Sequence, residues 1–346
     1  MLFYQKHWAI LYENYKQIEQ IYLKHKLENF KTKDLKETFD ASARKEIVYY
    51  SSNDNGLMAA ASMNNGETGS VVVIPVVGPL FKGANLMTEY SGATSMEQVA
   101  NAIKIADANK SIKSIILKID SPGGTVDGIE NLTSTILACE KPIWGFVYGM
   151  CASAAYAIGV SCDRLICGCE TDIVGSVGTI TTHNFDNESG LITVLRASRS
   201  EKKAMPNNSE KLNEKSIAET MKLLDGFNDW FCSLVEARMP KINKSLLDGS
   251  VLIGNAALSE GFIHGIDTFE NILTKANKGK NGLAEMHENK TLDMKINKFP
   301  KLAAVLGMSI NAQTVQETVT DTTVATEAPV EETTETVNTE TVETPA

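Results

Sequence analysis

The hydrophobic pattern of the chain changes character near residue 67. Before it, apolar residues such as Ile10, Tyr15, Ile18, Ile21 and Tyr22 are interleaved with charges up to Phe39 at helical spacing. This predicts a helical N-terminal extension over residues 1–66, closed by the polar stretches SSNDNG and MNNGETG. After it come short β-branched runs with Gly and Pro stops: SVVVIPVVGPL, KSIILKID, PIWGFVYG, DRLICG and LITVLR each read as a buried strand. Helical stretches lie between them, SMEQVANAIKIADAN and VDGIENLTSTILACE being the clearest, with apolar residues three and four apart. Alternation of this kind predicts an α/β domain on a parallel or mixed sheet over 67–277. Within it, NEKSIAETMKLLDGFNDWFCSLVEARM reads as one long amphipathic helix with Ile217, Met221, Leu224, Phe227, Phe231 and Leu234 on one face. Residues 278–346 read as a linker, a short cationic amphipathic stretch (MKINKFPKLAAVLGM) and a Thr/Val/Glu tail. The tail is too poor in apolar residues to offset the entropy of ordering, which predicts disorder.

Composition narrows the class. The 346 residues are 43% hydrophobic and 22% charged, enough for one sizeable core with appendages. The net charge of -10 is concentrated at the end: eight carboxylates and no Lys or Arg lie from Ala312 onward, leaving -2 for the rest. The acidity is therefore that of a tail, and nothing in the globular part marks a nucleic-acid surface. No segment reaches the roughly 18 uncharged apolar residues of a membrane span, and the first residues lack the apolar core of an export signal. A reducing, cytoplasmic setting is the expectation, with free thiols at all six cysteines. Cys162, Cys167 and Cys169 lie close in sequence but lack paired CxxC knuckles, so buried strand positions are favoured over a metal site.

Four stretches carry candidate chemistry. DSPGG, Asp120 to Gly124, joins a strand to a helix, where glycines let the backbone approach a ligand and aim its N–H groups outward. YGMCASAAYAIG places Ser153 just after a strand, at the first turn of an Ala-rich helix beside free amides and the positive dipole end. There its hydroxyl serves either as a helix cap or as a nucleophile. GSVG, Gly175 to Gly178, permits a second close backbone approach. In RASRSEKKAMP, Lys202 and Lys203 follow a strand; a desolvated lysine has a lowered pKa and takes a serine proton without a histidine. Of the five histidines, His183 and His264 leave a Ser-His-Asp arrangement open.

In combination and in order, these stretches resemble the serine peptidases of the signal peptide peptidase A type, including phage head maturation proteases, over about residues 70–272. The resemblance also draws on DIVGSVG and LLDGSVLIGNAALSEGFIHGID. It implies a ClpP/crotonase-like core of repeated ββα units carrying a Ser-Lys peptidase. Ser153 is then the nucleophile and Lys202, with Lys203 as its neighbouring alternative, the general base. The oxyanion hole falls to the amide of Gly124, with Gly123 adjacent, and that of Ala154. Three departures stand out: Ala154 and Ala155 replace a Gly pair, Ser250 replaces the basic residue of an Asp-Gly-Arg pattern, and the loop before the lysine is shorter than in many members.

The resemblance implies protein or peptide substrates, with no cofactor, metal, nucleic acid or membrane span. The phage branch implies scaffold and capsid proteins as substrates, homo-oligomers, and a site of action in the host cytoplasm or inside an assembling procapsid. Competing expectations are a cytoplasmic degradative peptidase of the same type, a crotonase-type acyl-CoA enzyme, a ClpP-like chamber using His183 or His264, and an inactive scaffold protein on the same fold.

Overall fold

The structure is a computed structural model that describes residues 8–10, 14–16, 46–53, 56–60, 70–84, 92–182 and 213–288. In chain order these contain strands β1 (Trp8–Ile10), β2 (Val48–Asn53), β3 (Gly56–Ala60), β4 (Ser70–Val77), β5 (Leu80–Phe81) and β6 (Thr94–Ser95). Then come helix α1 (Met96–Ala108), β7 (Ile112–Ser121), β8 (Gly123–Thr125), α2 (Ile129–Leu137), β9 (Ile143–Ala152), α3 (Ala154–Ser161), β10 (Arg164–Cys167) and β11 (Ile173–Gly175). Helix α4 (Glu214–Arg238), β12 (Val251–Ile253), α5 (Gly254–Ser259), β13 (Gly265–Ile266), α6 (Phe269–Ala276) and α7 (Lys280–Glu288) complete the set.

A nine-stranded mixed sheet runs β12-β11-β9-β7-β4-β2-β3, with β10 pairing β9 and β13. Its centre, β4-β7-β9, is parallel, and covering both faces of a parallel sheet demands apolar residues on both. In β7, Ile115, Leu117 and Ile119 join the larger core cluster while Ile116 joins the smaller one. In β9, Ile143 and Val147 take the larger side, and Trp144 and Phe146 the smaller, where Ile272 and Leu273 of α6 cover them. This two-sided burial is why these strands read as unbroken apolar runs. A second sheet of four short strands, β1-β8-β5-β6, sits beside the first.

Every residue of α3 is buried. Small residues make this possible: a Cβ on Gly159 would stand 2.9 Å from Cys151 Sγ, and one on Gly145 of β9 would stand 3.0 Å from a Leu165 methyl. The helix is tied at its far end by Arg238 of α4, whose guanidinium donates to the carbonyls of Val160 (3.1 Å) and Cys162 (3.0 Å). A cation on the last carbonyls of a helix answers both their unmet acceptors and the dipole. The Tyr156 hydroxyl donates to the Phe262 carbonyl at 2.8 Å, and the two rings stack.

Three expectations change. The stretch 1–66 is not simply a helical extension: β2 and β3 form a hairpin that joins the main sheet through β4, because Val48, Tyr49 and Tyr50 suit a half-covered strand, Tyr49 packing on one core cluster and Tyr50 on the other. Residues 280–288, expected as linker, form α7, with Leu283 joining the smaller cluster. The apolar face expected along α4 is buried only toward its C-terminal half: Phe231 and Val235 are enclosed, whereas Ile217 and Met221 are 46% and 48% exposed. The LITVLR strand and the acidic tail lie outside the described residues.

Candidate active site

Strand β9 delivers the chain to Ser153 and α3 carries it away, so the serine sits on a sharp reversal. Its backbone has φ 55° and ψ -120°, a conformation that L-residues rarely hold unless the surroundings enforce it. The enforcement is visible: Ser153 N–H donates to the Gly175 carbonyl at 2.8 Å, and the Ser153 carbonyl accepts from Ala157 N–H at 3.0 Å. The side chain makes no capping bond to α3. Its hydroxyl instead faces the Gly178 carbonyl at 3.5 Å, a long contact. Of the two roles open to it in the sequence, the capping role is therefore unused.

The DSPGG turn stands directly against this reversal. Gly123 has φ 100°, and a Cβ there would lie 2.2 Å from the Ala9 carbonyl oxygen, 2.9 Å from the Ala152 carbonyl oxygen and 3.0 Å from the Ala154 amide nitrogen. At Gly124 a Cβ would meet the Leu80 carbonyl oxygen at 1.9 Å. Both positions thus exclude any side chain. The Gly123 amide donates to Ser121 Oγ at 3.2 Å, and that hydroxyl donates onward to the Gly78 carbonyl at 2.7 Å. Gly124 and Ala154 are the neighbouring amides; the latter opens α3, where N–H groups have no intrahelical acceptor.

The structure thus brings Ser153, Gly123, Gly124 and Ala154 together. Lys202, Lys203 and His183 lie outside the described residues. His264 is engaged elsewhere, its Nδ1 accepting from Leu165 N–H at 3.0 Å. Burial pushes the thiols of Cys151, Cys162 and Cys167 well up, and Cys139 is pushed up to about 12 for the same reason. Thiols held protonated in this way are poor nucleophiles and poor metal ligands. No helix among the described residues is long and apolar enough to cross a membrane.

Sequence reasoning missed Asp172. Buried to 3% exposure, its carboxylate accepts from the amides of Gly149 (2.8 Å), Gly168 (2.7 Å) and Cys169 (3.1 Å). It thereby fixes the end of β9 against β10 and β11, the three strands that set Ser153. Its only signal was an acid between two strand runs. Also missed was β1, which pairs with the glycine turn of β8.

Residues 136–283 match the model of peptidase family S49, and residues 75–167 match that of Clp protease. Curated relatives include a head-tail preconnector protein of Enterobacteria phage P21, 30% identical over 33% of this chain and 23% of its own. Capsid assembly protease C of Escherichia phage lambda is 28% identical over 33% of this chain and 26% of its own. Protease 4 of Salmonella typhi is 24% identical over 60% of this chain and 34% of its own. The chain therefore spans about a quarter to a third of the length of these three relatives. Across residues 75–283 it carries a domain related to peptidase family S49 and to Clp protease.

Proposed function

We propose that this domain is a serine endopeptidase. The observation that carries the reading is Ser153 itself: a hydroxyl held on an enforced backbone reversal, unused as a cap, beside amides of a glycine turn from which side chains are excluded. In the proposed mechanism a neutral lysine, Lys202 or Lys203, accepts the Ser153 proton as the oxygen attacks a peptide carbonyl. The amides of Gly124 and Ala154 receive the oxyanion, the amine leaves with a proton, and water releases the acyl group. Loss of one such donor costs about 3 kcal/mol of transition-state stabilisation. Two of the relatives named above are phage capsid or head-tail proteins, which supports scaffold and capsid proteins as the substrates, with action during head assembly. The exposed Ile217 and Met221 support the expectation of a homo-oligomer.

The test is co-expression with the neighbouring coat or scaffold protein. Ser153→Ala is expected to abolish cleavage without changing the melting temperature, and unchanged cleavage would refute the assignment. Lys202→Ala and Lys203→Ala, assayed separately, identify the base as the one whose loss removes activity.

A further inference from the structure

Strand β1 is three residues long and is paired on both sides. On one side it runs antiparallel to β8, with Trp8 opposite Thr125, Ala9 opposite Gly124 and Ile10 opposite Gly123. On the other, Trp8 and Ile180 exchange both backbone bonds, at 2.9 and 2.8 Å. Both partners border the serine: β8 carries the glycine turn, where Gly123 lies against the Ala154 amide, and the segment ending at Ile180 contains the Gly178 carbonyl that faces the serine hydroxyl. The Ala9 carbonyl oxygen and the Ala154 amide both lie within 3.0 Å of the same point beside Gly123. A carbonyl therefore already stands at the corner where the reacting carbonyl of a substrate belongs.

The side chains of β1 are packed apart from the main core. Trp8 and Ile10 form their own cluster with Tyr15, Phe81 and Ala93, and Trp8 meets Tyr15 and Phe81 edge-on; Ala9 alone joins the large cluster. Ser153 is only 1% exposed, and the Ala9 carbonyl stands beside Gly123 and the Ala154 amide, so a hydroxyl that must meet a substrate carbonyl is closed off in this arrangement. Pairing of an extended segment on sheet edges, with alternate side chains in pockets, is a recognised way of binding peptides.

We propose that Trp8–Ile10 of this chain is a tethered, displaceable occupant of the position between Gly123–Thr125 and Gly178–Ile180, standing where an extended apolar peptide substrate would pair by its backbone on both edges. That position's role in catalysis rests on the peptidase reading above; its occupancy does not. The peptide-sized ligand is defined by the occupant: a large aromatic, a small residue at the reacting position and a β-branched aliphatic after it.

The test is peptide binding by the full chain carrying Ser153→Ala, so that an inert serine leaves the readout intact. A labelled peptide of residues 5–13, QKHWAILYE, is titrated by fluorescence anisotropy against this protein and against the same protein with Trp8→Ser and Ile10→Ser. A tethered competitor reduces apparent affinity by the fraction of time the position is free, so weakening it is expected to tighten binding by about 10-fold or more. Equal affinity for the two proteins, or binding by neither, would overturn the proposal. If the double variant shows no cooperative melt, Ala9→Pro, which removes the amide opposite Gly124, takes its place under the same criterion. Loss of cleavage by Ser153→Ala together with equal peptide affinities would leave the peptidase reading standing and remove only the occupant.

Discussion

Ser153 rests on a floor, and the glycine turn beside it carries a cover. The floor is α3 on β9, contiguous in sequence, all buried, held by glycines with no room for a Cβ and by the bonds of Arg238, Tyr156 and Asp172. The cover is β1, brought from more than a hundred residues earlier in the chain and held by a short backbone ladder and one side cluster of its own. Steric exclusion makes the floor a single solution, because a close-packed interior has few alternative arrangements. The cover is held by interactions that another peptide can reproduce. A site of this kind separates the part that must be exact from the part that must be exchangeable.

The sharpest way to break that contrast is to truncate one large ring on each side. Phe146→Ala, in the small core cluster beneath the sheet, is expected to cost about 3–5 kcal/mol in chemical denaturation. Trp8→Ala, although Trp8 is equally buried, is expected to cost under about 1 kcal/mol of global stability, because β1 opens locally before the domain unfolds. Similar losses for the two would make the cover an integral strand.

Gly124→Ala drives a methyl into the Leu80 carbonyl and is expected to cost about 3 kcal/mol while abolishing cleavage. A stable, active variant would show that β8 and β5 are free to move apart. Tyr156→Phe leaves the buried Phe262 carbonyl without its donor and is expected to cost about 1–2 kcal/mol by urea denaturation, with cleavage retained.

The smallest effect belongs far from the serine, at the start of α6. Burial raises the Asp267 carboxyl, but bonds from Lys275, Asn271 and the Thr268 amide outweigh it and hold the carboxyl below its ordinary value. A group lowered on folding contributes stability above its unfolded pKa and loses it as pH falls through the folded one. Asp267→Asn is therefore expected to lower stability at neutral pH by about 1 kcal/mol, the pair being partly screened by solvent with its side chains 13% (Asp267) and 22% (Lys275) exposed. It should also flatten the acid-side decline in a melting-temperature profile; an unchanged acid limb would show that the Lys275 pair contributes nothing.

The floor was legible in the sequence because its constraints are local. Unbroken apolar runs marked the strands with two covered faces, DSPGG marked a turn that admits no side chain, and the small residues after Ser153 marked a helix pressed onto a sheet. The cover was not legible: WAI sits in a stretch whose spacing is helical, and only pairing with Gly123–Thr125 and Ile180, distant in the chain, makes it a strand. Asp172 was hidden for a related reason, since its partners are backbone amides, which every residue carries and no pattern records. The half-exposed face of α4 shows the converse, that spacing predicts amphipathicity but not which turns find a partner.

The central claim is that Ser153 forms the covalent bond. The most direct measurement is mass spectrometry of the full chain, acid-quenched seconds after mixing with a protein substrate that it cleaves. A mass increase equal to the N-terminal product less water, localised to the peptide bearing Ser153 and absent from Ser153→Ala, is the predicted result. Cleavage by Ser153→Ala at the wild-type rate, with no adduct on that peptide, would contradict it.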